Sequence, residues 1–173
     1  AGRPGTVRDG ALLIEEGRIA RRYDDPAPDA PPAVTVRDLS GLFLAPGIVD
    51  IGVKVSEPGE RHKESFRSAG LAAAAGGVTT MVTRPDTLPA IDSPETLEFV
   101  MRRAKEAAPV RVLPMAALTK GRQGREMVEI GFLMDAGAVA FTDCDHVVAD
   151  TKVASRCFAY ARQLGALVIG HPQ

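Results

Sequence analysis

From Gly47 onward, apolar β-branched runs alternate regularly with helix-forming stretches, and this rhythm leaves few folds open. The apolar runs lie at residues 48–55, 78–83, 110–115, 138–142 and 167–169. The helix-forming stretches lie between them, at residues 64–76, 93–107, 126–136 and 151–164. Strands that alternate with helices are typical of a parallel sheet joined by crossover helices. The rhythm therefore predicts an α/β fold.

The residues at the predicted helix ends support these boundaries. Ser93, Pro94 and Glu95 suit the start of a helix, because serine caps free amides, proline needs no donor there and glutamate complements the helix dipole. Gly137 and Gly165 stand where two helices should end, since glycine tolerates the left-handed backbone found there.

Two architectures fit this alternation: an open doubly wound sheet and the start of a (β/α)8 barrel. Periodicity alone does not separate them. A nucleotide-binding open sheet would need a glycine-rich phosphate loop, and neither GxGxxG nor a Walker-type loop occurs in the sequence. A complete barrel needs about 250 residues. With 173 residues and a fifth strand near its end, the chain is expected to be incomplete.

The first part of the chain, residues 1–43, is predicted to be a small β region, and residues 44–173 a separate α/β domain. Short β-prone runs lie at residues 11–14 and 33–36, and Glu16-Gly17 marks a turn after the first. Residues 24–32 contain four prolines, which predicts a loop.

Charge and composition exclude several partner classes. The 21 basic and 22 acidic residues give a net charge of -1, so neither nucleic acid nor an anionic membrane is expected as a partner. The apolar runs are shorter than a membrane span, and the first residues do not resemble a secretory signal. Cys144 and Cys157 lie outside any CxxC pattern and predict reduced thiols in a cytoplasmic protein.

A series of short motifs occurs in order along the second domain. They are PGIVD at 46–50, EPGERHKE at 57–64, GGVTT at 76–80, RPDTLP at 84–89, LTKG at 118–121, GAVAFTD at 137–143 and VIGH at 168–171. Together they resemble the dihydroorotase family of amidohydrolases, whose first barrel strand carries P-G, two aliphatic residues and D-x-H-x-H. The resemblance implies the N-terminal part of a (β/α)8 TIM-type barrel, with about five βα units and a small N-terminal β region.

The resemblance also implies a metal-dependent reaction, the interconversion of N-carbamoylaspartate and dihydroorotate. Zinc lowers the pKa of bound water to about 7, which makes a hydroxide nucleophile available at neutral pH. In this sequence the two histidine positions are Gly52 and Lys54. Glycine has no ligating atom, and a protonated lysine repels a divalent cation.

Two substrate positions of the family are altered as well. Ser56 stands where the family has the arginine that binds the substrate carboxylate, and Asp86 stands where it has an asparagine. A carboxylate at position 86 would repel the substrate carboxylate. The resemblance therefore assigns no catalytic, substrate-binding or metal-binding residue, and it leaves enzymatic activity uncertain.

Asp143 and His171 are the vestigial candidates for metal ligands, because both stand at family positions. One hypothesis for Lys54 is that its ammonium fills the place of the metal and pairs with Asp143. The alternative is a lysine that extends into solvent. Four further polar residues are expected to be structural or exposed: His62, Lys120, Cys144 and His146. Cys144 lies between two carboxylates, and these disfavour a thiolate at this position.

The predicted function is that of an inactive dihydroorotase-like chain of pyrimidine biosynthesis. The resemblance implies that such a chain binds aspartate transcarbamoylase, and open sheet edges favour self-association as well. In this interpretation no cofactor is bound. The alternative is an active cyclic amidohydrolase with a rebuilt zinc site. A third interpretation is a fragment with no function of its own.

Overall fold

The computed structural model describes residues 8–24, 28–31 and 34–170, and it divides into two compact units, Ala1–Leu44 and Ala45–Gln173. The first unit contains an antiparallel hairpin of β1 (Gly10–Glu15) and β2 (Arg18–Asp24). Glu16 and Gly17 form its turn with φ values of 49° and 73°. Positive φ at both turn residues matches the twist of the two strands, which fits the predicted turn.

The first unit differs from the prediction in two respects. β2 was not expected, because its sequence RIARRYD carries three arginines and lacks an apolar face. The strand predicted at residues 33–36 is absent from its described part, residues 34–36, which are irregular and exposed. Residue 33 lies outside the described residues. Without a partner strand or an apolar layer, a β-prone triplet has nothing to pair with.

The second unit contains three parallel strands in the order β3 (Ile48–Val53), β4 (Val78–Thr83) and β5 (Arg111–Pro114). Beyond β5 the parallel pairing continues through two single bridges, from Ala116 to Phe141 and from Phe141 to Val168. The strands predicted at 138–142 and 167–169 are therefore single bridged positions. Their parallel direction and their order agree with the alternation in the sequence.

Four helices connect these segments: α1 (Phe66–Ala75), α2 (Pro94–Ala107), α3 (Ile130–Asp135) and α4 (Thr151–Leu164). The Ser93 hydroxyl accepts a hydrogen bond from the Thr96 amide at the start of α2, as its sequence predicted. Gly165 ends α4 in the left-handed conformation, with φ 69°.

The third helix is shorter than the prediction of 126–136. Residues 126–128 pair with residues 118–120 instead, through a bridge between Thr119 and Met127 and through backbone hydrogen bonds on either side. A backbone that donates to a neighbouring segment in this way is not available to a helix.

The core of the second unit lies between the sheet and the helices. Its largest fully buried side chains are Phe66, Phe141, Met81, Ile91, Leu97, Ile130 and Leu133. β3 is the exception to this burial, because Ile48, Val49 and Ile51 are each more than half exposed. Within the described residues, no helix has the length and apolar character needed to cross a membrane.

Candidate active site

The candidate site lies at the carboxyl ends of the parallel strands, the edge at which α/β proteins generally build their sites. Lys54 follows β3, Asp86 follows β4, and Asp143 follows the bridged residue Phe141. The positions that the sequence motifs singled out therefore belong to one edge of the sheet.

Gly52 interrupts the regular pairing of β3. Ile51 pairs with Val82 and Val53 pairs with Thr83, so Gly52 is an extra residue that bulges from the strand. Its φ is 94°, which L side chains rarely adopt, although a Cβ added at this position would meet nothing within 4 Å. The backbone, rather than a lack of space, therefore disfavours a histidine at position 52.

Lys54, which stands where the resemblance implies a second ligand, forms an ion pair with Asp86. Its Nζ lies 3.1 Å from Asp86 Oδ2, and the two side chains are 55% and 3% exposed. The hypothesis that Lys54 pairs with Asp143 named the wrong carboxylate. Positions 54 and 86, both singled out by the sequence resemblance, are thus joined by a direct contact of opposite charges.

Arg84 completes this charge cluster, and its role was not predicted from the sequence. Its Nη2 lies 2.9 Å from Asp86 Oδ2 and 3.8 Å from Asp145 Oδ1. Asp145 also pairs with Arg122. The only signal in the sequence was a charged residue directly after the apolar run at 78–83. Lys54 and Arg84 therefore share the buried Asp86 carboxylate, and Arg84 also pairs with the exposed Asp145.

Three buried polar atoms in this segment have no hydrogen-bond partner among the described residues. They are Thr83 Oγ1, Arg84 Nε and Asp86 Oδ1. A buried polar atom without a partner costs about 1–3 kcal/mol. The ion pairs offset part of that cost for Asp86, because its second oxygen contacts both cations.

Asp143 is fully engaged by the protein itself. Its Oδ1 accepts hydrogen bonds from the amides of Leu118, at 2.9 Å, and Thr119, at 3.0 Å. The Thr119 hydroxyl donates to Oδ2. Asp143 and Thr119 are both buried, and the carboxylate ties two loops together. Asp143 is therefore a structural brace in this arrangement, with both oxygens hydrogen-bonded.

Among the described residues, the other histidine and serine positions have separate surroundings. His171 lies outside the described residues. His62 is exposed, and His146 Nδ1 lies 2.7 Å from the carbonyl oxygen of Arg122. Ser56 is partly buried, and its carbonyl oxygen accepts a hydrogen bond from the amide of Glu60. Over the residues that the structure covers, no group of three or more His, Cys, Asp or Glu side chains could hold a metal ion.

Cys144 is buried beside this cluster and is not suited to act as a nucleophile. Burial, and after it the charge of Asp86, raises the pKa of the Cys144 thiol above its ordinary value, and the opposing effect of Arg84 is smaller. A raised pKa leaves the thiol protonated at neutral pH, as expected from the sequence.

Glu57 anchors the loop that carries the altered positions. It is almost fully buried, and its Oε2 accepts a hydrogen bond from the Phe66 amide, at 3.0 Å, in the first turn of α1. Its Oε1 accepts a hydrogen bond from Arg103 Nε of α2, at 3.1 Å. The glutamate of the EPG motif therefore has a structural role, because its hydrogen bonds orient the segment after β3.

Zinc does not fit the donors that the described residues provide at this edge. Gly52 offers no donor, the ammonium of Lys54 lies against Asp86, and Asp143 is hydrogen-bonded through both oxygens. A catalytic zinc site needs three protein ligands and an open position.

Comparison with known proteins identifies the family of this chain. The family model described as "Dihydro-orotase-like" matches residues 41–172. The dihydroorotase of Sulfurihydrogenibium sp. is 40% identical over 160 residues, which cover 92% of this chain and 37% of that protein. The dihydroorotase of Desulforapulum autotrophicum is 35% identical over 171 residues, with 98% and 40% covered. The chain thus spans about two fifths of these relatives.

The fold resembles that of a solved amidohydrolase. The L-hydantoinase (dihydropyrimidinase) from Arthrobacter aurescens superposes with a TM-score of 0.78 at 21% identity, over 94% of this chain and 36% of that one. At this identity the likeness shows the fold alone. The family model matches well over half of the residues, and on the strength of that match this chain belongs to the dihydroorotase-like family.

Proposed function

We propose that the chain is a dihydroorotase-like protein of pyrimidine biosynthesis that has no hydrolytic activity. The observation that carries the proposal is the ion pair between Lys54 and Asp86, at 3.1 Å. An ammonium at the second ligand position repels a divalent cation and neutralises the carboxylate beside it. The negative charge of Asp86 is thus balanced by the Lys54 side chain and not by a metal ion.

The bulge at Gly52 supports the same proposal. A strand that presented two histidines to one metal would need both side chains on one face, which regular alternation provides. In β3 the extra residue breaks that alternation between Ile51 and Val53. The loss of activity is therefore supported by the backbone as well as by the side chains.

The proposed role is that of a structural partner of aspartate transcarbamoylase, with self-association as the alternative. The choice of aspartate transcarbamoylase rests on the family resemblance. The exposed apolar side chains of β3 support association with another protein segment, since β3 pairs only with β4 among the described residues.

The parallel order of the strands supports the further proposal that residues 44–173 are the first part of a (β/α)8 barrel.

The second candidate function is an active cyclic amidohydrolase with a rebuilt metal site. The observation that favours it is that relatives 35% and 40% identical carry the name dihydroorotase. Such a site would recruit Asp143 and His171. The three hydrogen bonds that occupy Asp143 count against it, because they would have to break or rearrange.

The deciding experiment is the metal content of the purified full chain after growth with zinc and dialysis, measured by elemental mass spectrometry. We expect less than about a tenth of an equivalent, because a site with fewer than three ligands does not retain zinc. The control is the same protein stripped with EDTA. A stoichiometric metal that survives dialysis would contradict the proposal. The variants Asp143→Asn and His171→Ala would then identify its ligands.

The partner is tested separately, by co-purification. The full chain and the aspartate transcarbamoylase of the same organism are co-expressed, and only the transcarbamoylase carries an affinity tag. A stoichiometric complex on size exclusion is the expected result. A metal-free chain that elutes alone at micromolar concentration would refute the scaffold role and leave the loss of activity standing.

A further inference from the structure

A cleft opens on the second unit between the loop around Arg122 and the loop around Asp145. Its volume is about 630 Å³, and it is lined by Arg122, Gln123, Arg125, Asp145, His146 and Val147. Neither Lys54 nor Asp86 lines it, although Arg84 connects Asp86 to the lining residue Asp145. Nothing in the proposed function uses this cleft.

The cleft carries an excess of positive charge. Asp145 is the one carboxylate that lines it, and Arg122 and Arg84 already pair with that carboxylate. Arg125 is exposed, and it forms no ion pair with any described residue. The lining holds two arginines against one aspartate, an excess of one positive charge before any charge on His146 is counted.

The walls of the cleft are held in a fixed, costly conformation. Arg122, which lines the cleft, and Cys144, which directly precedes the lining residue Asp145, have φ values of 59° and 58°, in the left-handed region that non-glycine residues rarely adopt. Contacts between the two loops maintain it: Arg122 Nε donates to the Asp143 carbonyl at 3.3 Å, and His146 Nδ1 lies 2.7 Å from the Arg122 carbonyl. Strained residues that the surrounding structure holds in place are enriched at binding sites.

The loop of residues 119–124, on the Arg122 side of the cleft, is held by hydrogen bonds from the core side. The amide of Gly124 donates to Thr119 Oγ1 at 2.8 Å, and that hydroxyl donates to the buried Asp143 carboxylate. The loop between residues 119 and 124 is therefore fixed at both ends before any ligand arrives. A preformed wall lowers the entropy that binding must overcome.

From this charge and this geometry we infer that the cleft binds a small oxyanion, a phosphate or carboxylate group, through the guanidinium of Arg125 and the side-chain amide of Gln123. Guanidinium presents planar paired donors that match both oxyanions. Arg122 acts as a positioning residue, because its own charge is engaged by Asp145. Anion binding in this cleft does not depend on whether the chain hydrolyses an amide.

The test is calorimetric titration of the full chain with sodium phosphate and, separately, with sodium acetate, at an ionic strength held constant with sodium chloride. We expect saturable binding of at least one anion. Saturation by phosphate alone identifies a phosphate site, and saturation by acetate alone identifies a carboxylate site. If neither anion saturates above the chloride background, the inference is wrong.

Variants locate the binding. Arg125→Gln should weaken binding about tenfold, the loss expected for one charge-assisted hydrogen bond, and Arg125→Lys should restore part of it. Gln123→Ala, a smaller change in the same wall, should weaken binding without altering the fold. Arg67→Gln removes the same charge from α1, outside the cleft, and should leave the affinity within about twofold. Equal losses for Arg67→Gln and Arg125→Gln would overturn the inference.

Discussion

Removing the two cations around Asp86, first singly and then together, should reveal that they share one buried charge. The Asp86 side chain is 3% exposed, with Lys54 Nζ at 3.1 Å and Arg84 Nη2 at 2.9 Å from the same oxygen. Methionine is the suitable replacement for both, because it keeps much of the length and removes the charge. The variants are Lys54→Met, Arg84→Met and the double variant.

The expected losses follow from the exposure of each partner. Lys54 is 55% exposed, so solvent screens its pair and its removal should cost about 0.5–1 kcal/mol of unfolding free energy. Arg84 is 30% exposed and also contacts Asp145, so its removal should cost about 1–2 kcal/mol. Without either cation, Asp86 is a buried charge with no counter-charge, and the loss should reach about 3–5 kcal/mol.

The assay is urea unfolding monitored by circular dichroism, with the slope of the transition compared among all variants. The double variant should lose about 1–2 kcal/mol more than the sum of the single variants. Asp86→Asn, added to the double variant, should recover most of the loss because it removes the uncompensated charge. Arg67→Met, an exposed charge on α1, serves as the control and should stay within about 0.5 kcal/mol of the parent.

Additive losses, within about 0.5 kcal/mol, would refute the reasoning, because residues that do not share a partner behave independently. Failure of Asp86→Asn to rescue the double variant would refute it as well, since the cost would then come from packing and not from charge.

Three further predictions concern neighbouring features. Glu57→Gln weakens the hydrogen bonds that Arg103 and the Phe66 amide donate to this side chain. The unfolding free energy measured in urea should fall by about 2–3 kcal/mol. A loss below about 0.5 kcal/mol would contradict the anchoring role. Gly52→Ala should cost about 1–2 kcal/mol by the same assay despite free space around its side chain, because its φ is 94°, and an unchanged midpoint would show that the bulge relaxes. Asp86→Asn removes a charge that raises the pKa of Cys144, so more thiolate should form at about pH 8.5, near the ordinary thiol pKa. Iodoacetamide should then label Cys144 faster, as measured by peptide mass spectrometry. A slower or equal rate would contradict the assigned cause.

Much of the second unit could be predicted because its signals are local. The cap at Ser93 and the terminal Gly165 define their helices through contacts within one turn, and the structure confirms both. The strand predicted at 138–142 reduces to one bridged residue because strand length depends on neighbouring segments. β2 was missed for a related reason: its arginines give no apolar period, and only the hairpin partner makes it a strand.

The candidate site divides along the same line. Motif order was enough to single out positions 52, 54 and 86 as altered. The partner of Lys54 was not predictable, because whether its ammonium reaches Asp86 or Asp143 depends on the strand register and on the bulge. Arg84 escaped notice because an arginine after an apolar strand has many uses, and only its distances to Asp86 and Asp145 reveal its role.

The bulge in β3 also bears on how easily a metal site could be built at this edge of the sheet. A codon change at position 52 can supply an imidazole, but that residue would inherit a backbone with φ of 94°, and the strand would have to shed its extra residue before the ring could face its neighbour. The ammonium at position 54 would in turn have to leave without exposing the charge of Asp86. A metal site at this edge therefore requires several coordinated changes in both backbone and side chains. A single substitution at position 52 or at position 54 would not be sufficient to create one.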